Sequence, residues 1–275
     1  MDLTQAILLA IIQGITELFP VSSLGHAVVL PHLLGWNIDQ AAPSFLPFLV
    51  TLHVGTAVAL LVYFWRDWWL LLQSLLSRSP DPATQQARRL LLLLVLGTIP
   101  AGVLGLVLEK RLAQLFAAWQ FAAIFLILNG AVLAFTEWLR RGNRRRQELT
   151  TLKPWQAVAI GASQALALLP GLSRSGCSMA GGLLVGLSHQ SAARFSFLLA
   201  TPIIFAAAVL EVPKLTGELR GELGPALIGG VVSGLLAYAS TAVLMRYFKR
   251  QEVNALLPFS AYCVLLGAAT LLLGR

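Results

Sequence analysis

The sequence predicts an all-α polytopic membrane protein, with six transmembrane helices plus two re-entrant helical hairpins in an inverted repeat. Three observations carry that prediction. First, the 275-residue chain is 57% hydrophobic and only 12% charged, whereas a soluble domain carries about 25% charged residues and needs them to cover its surface. Second, six apolar stretches reach the roughly 20 residues that a helix needs to cross a bilayer. Third, two further apolar regions are each broken in the middle by a proline-containing segment. A mean hydropathy of +0.77 agrees. The same composition excludes a disordered chain, a disulfide-rich secreted domain and a cytosolic nucleic-acid binder.

Taken in order, residues 2–34 form the first hairpin. The break at Phe19-Pro20-Val21-Ser22-Ser23 leaves apolar pieces of about 17 and 11 residues. Proline removes a backbone donor and blocks the preceding turn. Broken backbone at membrane depth survives only where it faces protein or a wet cavity. Spans follow at approximately 44–65, 90–108 and 119–139. The second hairpin, 155–187, breaks at Pro170-Gly171-Leu172-Ser173, and spans return at 195–212, 224–245 and 256–273. The halves are then approximately 1–140 and 154–275, joined by a basic loop, 140–153. An offset of 150 residues aligns Pro20 with Pro170, Ser23 with Ser173, Phe45 with Phe195, Leu49 with Leu199 and Thr51 with Thr201. Three spans per half is an odd number, so the second half inserts upside down. The hairpins then enter from opposite faces and meet near the midplane.

The net charge of +8 tests that topology. With the N-terminus outside, the cytoplasmic loops carry Arg66, Arg78, Arg88, Arg89, Arg140, Arg141, Arg144, Arg145, Arg146, Lys153, Arg246, Lys249 and Arg250. The outer loops hold only Lys110, Arg111, Lys214 and Arg220, and Arg275 ends the chain outside. The asymmetry obeys the positive-inside rule with both termini out. The Arg140–Arg146 run also suits contact with anionic membrane lipids. The start at Met1-Asp2 has no positive segment or cleavage site, so no removable signal peptide is expected. Cys177 and Cys263 sit in apolar surroundings and read as small buried hydrophobes. Trp65, Trp68, Trp69 and Trp155 read as interfacial belts.

Two basic residues are left over: Arg174 at the second break and Arg194 at the entry of the following span. A charge at bilayer depth costs about 2.5–3.5 kcal/mol even on lenient insertion scales. Glu17 lies beside the first break, His26 just after it, and His53 inside the first full span. The expensive groups therefore gather at the two breaks. One reading of Glu17 and Arg174 is a buried ion pair that only fixes hairpin packing. One reading of Ser23 and Ser175 is helix N-caps. The other reading is an anion site. Two helix N-termini facing one cavity supply N–H groups and positive dipole ends. Gly25, Gly171 and Gly176 let the backbone approach a ligand, and the Arg174 guanidinium matches a phosphate. His53 and Thr51 face the core, as second-layer groups or interhelical hydrogen bonders.

Three blocks then resemble one family. Gln13-x-x-x-Glu17 followed by Pro20-Val21-Ser22-Ser23-Leu24-Gly25-His26, Pro170-Gly171-Leu172-Ser173-Arg174-Ser175-Gly176, and Ala193-Arg194-Phe195 through Thr201-Pro202 are similar to the signature regions of the undecaprenyl-diphosphate phosphatases. This bacterial family is linked to bacitracin resistance. The resemblance spans essentially the whole chain. It implies hydrolysis of undecaprenyl diphosphate to the monophosphate on the outer side of the plasma (inner) membrane, returning the carrier to cell-wall synthesis. It also implies a divalent cation, Mg2+ or Ca2+, held by Glu17 with Gln13. Membrane lipids and a second copy of the chain are further partner candidates, and no nucleic acid is expected. Gln13 stands where the motif often has an acid, which lowers the local negative charge, and Leu24 stands where threonine is common. A Ser-Gly-His block and a Ser-Arg block also occur in the acid-phosphatase-like lipid phosphatases. Here no His follows Arg174 at that family's short spacing, and no Gly-x-x-x-x-Gly-Lys loop is present.

Phosphoanhydride hydrolysis needs positioning and charge stabilisation. Ser23 is assigned as nucleophile, with Glu17 or His26 as its base; His26 as a phosphohistidine is the competing mechanism. Arg174 stabilises the phosphoryl group. Ser22, Gly25, Ser173, Ser175, Gly176 and Thr201 are expected to contact substrate. Arg194 is assigned either to the diphosphate or to neutralising Glu17. The rival class is a lipid flippase or transporter, because inverted repeats around a midplane site also build alternating-access carriers.

Overall fold

A run of apolar residues in lipid must satisfy its backbone internally, which leaves helices and closed barrels. The computed structural model takes the first course. It describes residues 2–77, 81–115, 118–141, 146–216 and 220–274. Arg78, Arg144, Arg145 and Arg275, and the side chains of Lys110, Arg111 and Arg220, all used in the charge asymmetry, lie outside the described residues. Among those described, the only β-type pairing is an isolated bridge between Gln147 and Leu187.

Eleven α-helices are described: α1 Leu3–Thr16, α2 Ser23–Leu33, α3 Phe45–Tyr63, α4 Trp65–Leu76, α5 Pro82–Leu115, α6 Trp119–Arg140, α7 Pro154–Ala165, α8 Arg174–Leu184, α9 His189–Glu211, α10 Arg220–Arg250 and α11 Leu257–Leu273. Five of the helical stretches are long and apolar enough to cross a membrane, in α3, α5, α6, α9 and α10. α11 has 17 residues, a rise of about 25 Å against a hydrocarbon core of about 30 Å. α1, α2, α7 and α8 are shorter still.

The elements differ from the sequence-derived spans mainly at their ends. α9 begins six residues before the apolar run, because Ser188 caps it by accepting the Ser191 N–H at 3.1 Å. The residues this adds, 189–194, carry Arg194 inside the helix. The tryptophan-rich stretch after α3 forms α4, with the Trp65 and Trp69 rings exposed.

Hairpin arms pack on the opposite half of the chain. α1 lies on α10, and α7 lies on α5. Small residues allow the closest approaches: a Cβ on Gly161 of α7 would run into the Gly97 carbonyl of α5, and one on Gly55 of α3 into the Gly230 carbonyl of α10. Such seams replace the hydrophobic drive that lipid cannot supply. The two interhelical breaks, at residues 17–22 and 169–173, are thereby held against each other beside α6.

Candidate active site

At the first break the chain leaves α1 at Thr16 and enters α2 at Ser23. Ser22 has φ 68°, a left-handed conformation uncommon for a residue with a Cβ. Its Oγ accepts the Gly25 N–H at 3.1 Å, capping α2, and donates to the Leu172 carbonyl of the second break at 3.1 Å. The second break turns on Gly171, φ 104°, where a Cβ would run into the Ala122 carbonyl of α6. Ser173 caps α8 by accepting the Gly176 N–H at 3.0 Å.

Buried hydrogen bonds brace one break against the other. Ser175 Oγ donates to the Phe19 carbonyl at 2.9 Å. Asn129 of α6 donates to the Pro20 carbonyl at 2.9 Å and accepts the Ser173 N–H at 3.0 Å. One fully buried amide thus satisfies a backbone group in each break.

This bracing sets Glu17 against Arg174. Glu17 Oε1 accepts from Arg174 Nη2 at 2.9 Å and Nε at 3.2 Å. Oε2 accepts from Ser23 Oγ at 2.5 Å and from Gln13 Nε2 at 3.1 Å. The same oxygen lies 3.1 Å from His53 Nε2. The other His53 nitrogen, Nδ1, is 2.7 Å from the Leu49 carbonyl. Both ring nitrogens therefore face oxygen acceptors, and only the doubly protonated ring donates to both. One carboxylate is held by a guanidinium, an imidazole, an amide and a serine hydroxyl.

Glu17, Ser22, Ser23, His53, Ser173 and Arg174 line one end of a cavity of about 570 Å³. Most of the remaining wall is apolar, from Leu46, Leu49 and Val50 of α3, Ala101 and Leu106 of α5, and Ile203, Ala207 and Val209 of α9. Exposed Leu106 and Val209 mark the rim. The shape suits an amphiphile with a small anionic head and an aliphatic tail.

Residues 6–269 match the family described as Bacitracin resistance protein BacA. The chain belongs to the BacA family. It is 55% identical over 274 residues to an undecaprenyl-diphosphatase of Acidiphilium cryptum, covering 98% of this chain and 96% of that one. It is 52% identical over 274 residues to undecaprenyl-diphosphatase 2 of Chromobacterium violaceum, covering 99% of each. An undecaprenyl-diphosphatase of Granulibacter bethesdensis is 49% identical over 287 residues, covering 98% of this chain and 96% of that one.

In this BacA-family chain the expected site residues separate into two groups. Glu17, Ser22, Ser23, Ser173 and Arg174 converge on the cavity, and Gln13 touches Glu17. The others stand apart from it. His26 turns away from Ser23: its Nδ1 lies 2.7 Å from the Ser22 carbonyl and its Nε2 2.7 Å from the Tyr262 hydroxyl of α11. The arrangement suits a ring that donates to the carbonyl and accepts from the phenol, so it offers neither a base nor a nucleophile to the cavity. Arg194 pairs with Asp67 of α4 rather than with Glu17, and does not line the cavity. Thr201 is also outside the lining, and its buried hydroxyl has no partner. Gly25 and Gly176 pack against the opposite breaks, at Gly171 and Pro20, and Ser175 lies beneath the floor. The helix caps are Ser22 and Ser173, not Ser23 and Ser175, which leaves the Ser23 hydroxyl available to Glu17.

A protein-held divalent cation does not fit this arrangement. The two Glu17 oxygens already accept from Arg174, Ser23 and Gln13 and face His53, and the buried oxygens left uncommitted at the cavity are two neutral amide oxygens, Gln13 Oε1 and Gln164 Oε1. Mg2+ and Ca2+ take six or more oxygen ligands. Among the described residues no group of three His, Cys, Asp or Glu could hold a metal ion.

Asn129 and Tyr262 were not expected. Asn129 had a legible signal, being an amide in the middle of a long apolar stretch. Tyr262 had none, since its role depends on α11 lying against α2.

Proposed function

We propose that this chain hydrolyses undecaprenyl diphosphate to undecaprenyl phosphate and inorganic phosphate, with Ser23 as nucleophile and Glu17 as its base. The observation that carries the reading is the 2.5 Å contact between Ser23 Oγ and Glu17 Oε2 at the polar end of a largely apolar cavity, beside Arg174. A serine hydroxyl becomes a useful nucleophile when a base sits within hydrogen-bond reach. A carrier that only binds an anion has no need of that pairing.

Ser23 Oγ attacks the distal phosphorus as its proton passes to Glu17 Oε2. The bond from phosphorus to the bridging oxygen breaks, and the lipid leaves as its monophosphate. Water then attacks the phosphoserine, inorganic phosphate leaves, and the serine recovers a proton. The charge balance favours this sequence. While Glu17 is ionised it occupies Arg174 and His53. Once it takes the serine proton, both cations are released toward the phosphoryl oxygens, where negative charge is then concentrated. A divalent cation bound to the substrate would lower its charge, but Glu17 and Gln13 offer such an ion no cage, and the neutralisation rests on Arg174 and His53.

The topology proposed with this function has α11 as a sixth span and the two broken regions as re-entrant hairpins in an inverted repeat, with halves 1–140 and 154–275. The reciprocal packing of α1 on α10 and α7 on α5 supports it. The basic loops face the cytoplasm of a bacterium, both termini lie outside, and the site opens to the outer face of the plasma membrane. The deciding assay is phosphate release from polyprenyl diphosphate by the purified chain in detergent with Mg2+. Absence of inorganic phosphate rejects the reading. Full activity in Ser23→Ala rejects the nucleophile alone.

A further inference from the structure

Two buried polar side chains in the cavity wall are unused by the chemistry above: Glu211, which is paired with Lys214, and Gln164, which has no partner. Gln164, in the last turn of α7, is 2% exposed, and neither its Nε2 nor its Oε1 has a hydrogen-bond partner. It lines the same cavity as Ser23 and Arg174, among Ala101, Ala167, Leu168 and Ile203. An amide withdrawn from water without a partner is unfavourable in any interior, and more so where lipid replaces solvent. The other unpartnered groups nearby differ. Gln13 already donates to Glu17, while Thr201 and Ser233 do not line the cavity. Gln164 presents both halves of an amide to whatever enters.

We infer that Gln164 binds the phosphate that stays on the lipid, donating Nε2–H to a non-bridging oxygen of the proximal phosphate of a polyprenyl diphosphate. The inference rests on the phosphatase reading. In that reading Ser23, Arg174 and His53 take the distal phosphoryl group. Gln164 lines the same cavity from the other arm of the Arg174 hairpin, with Ala167 and Leu168, just after it in the chain, in the aliphatic wall. That is the point at which a substrate passes from its charged head into its tail. A neutral donor suits a phosphate that is retained: it binds substrate, transition state and lipid product alike.

The test uses the full chain in detergent with Gln164→Leu and Gln164→Glu, measuring steady-state kinetics on polyprenyl diphosphate. Binding of farnesyl monophosphate is measured separately in a Ser23→Ala background. Gln164→Leu is expected to raise KM and weaken monophosphate binding about ten-fold each, with kcat changed by less than about three-fold, the pattern of uniform binding. Its thermal midpoint is expected to hold or rise, because an unsatisfied amide is removed without a cavity. Gln164→Glu keeps the shape, sets a carboxylate against the phosphate and is expected to weaken both more. Unchanged monophosphate binding overturns the inference. So does a fall in kcat at constant KM, or a drop of several degrees in the midpoint, which would reveal a structural partner. If the wild type releases no phosphate, the phosphatase reading fails, while the monophosphate arm still reports on Gln164 independently.

Discussion

The two breaks are built alike and do different work. Each interrupts a hairpin at a proline, each restarts a helix behind a serine cap, and each hands a backbone group to Asn129. Yet the first delivers a carboxylate and a hydroxyl, Glu17 and Ser23, and the second delivers a guanidinium, Arg174. The caps fall on Ser22 and Ser173, which an offset of 150 residues does not align. In the first break the serine after the cap faces the base. In the second break that position is Arg174. A one-residue difference in cap register turns two similarly built breaks into complementary parts of one site.

The sharpest way to break that comparison is to remove the two hydroxyls separately. Ser23→Ala is expected to lower kcat by about 10³-fold or more, as loss of a covalent nucleophile does. Ser175→Ala, which loses a bond to the Phe19 carbonyl at 2.9 Å, is expected to keep activity within about ten-fold. Phosphate release at saturating substrate reads both. Equal losses would mean that the two breaks share the chemistry rather than divide it. Next in size is Arg174→Ala, with an expected loss of about 10²-fold or more in kcat, the scale of removing a preorganised oxyanion donor. The same change leaves Glu17 buried with one cation fewer, so the variant's thermal midpoint should be followed in parallel.

The bracing between the breaks makes a third, smaller prediction. Asn129→Ala leaves the Ser173 N–H without a partner and the Pro20 carbonyl with only the long Cys263 Sγ contact at 3.9 Å. The expected loss is about 2–4 kcal/mol of stability, from two buried groups at roughly 1–3 kcal/mol each. Thermal unfolding in detergent measures it. An effect below about 0.5 kcal/mol would show that the breaks hold together without α6.

Much of this was legible because lipid makes polar residues expensive. The breaks, the convergence of Glu17 with Arg174 and five of the spans all follow from asking why a costly group is present. Applied only to ionisable residues, that question passed over Asn129 and Gln164, neutral amides to which the same physics applies. Other features depended on contacts between distant segments. The direction of His26 is set by Tyr262, 236 positions away. The serine that caps each helix depends on φ at Ser22 and Gly171, which side-chain pattern does not encode. His26→Phe is accordingly expected to lower activity by less than about ten-fold, through the Ser22 peptide it supports. A loss comparable to that of Ser23→Ala would return His26 to the chemistry.

The smallest effect is expected at the residue that most resembled a site by charge alone. Arg174 and Arg194 were the two basic residues that topology could not place in a loop. Arg174 entered the cavity. Arg194 lies in α9 with a side chain 43% exposed, paired with Asp67 at the start of α4. That partner follows the end of the preceding span by a few residues, so the pair ties α9 to α4 away from Ser23. Partly exposed ion pairs contribute about 0.2–1 kcal/mol. Arg194→Ala is therefore expected to leave kcat and KM within about three-fold and to shift the thermal midpoint only slightly. A double-mutant cycle with Asp67→Ala should return a coupling on that scale. A large rise in KM for polyprenyl diphosphate in Arg194→Ala, with no coupling to Asp67, would place this second arginine on the substrate after all.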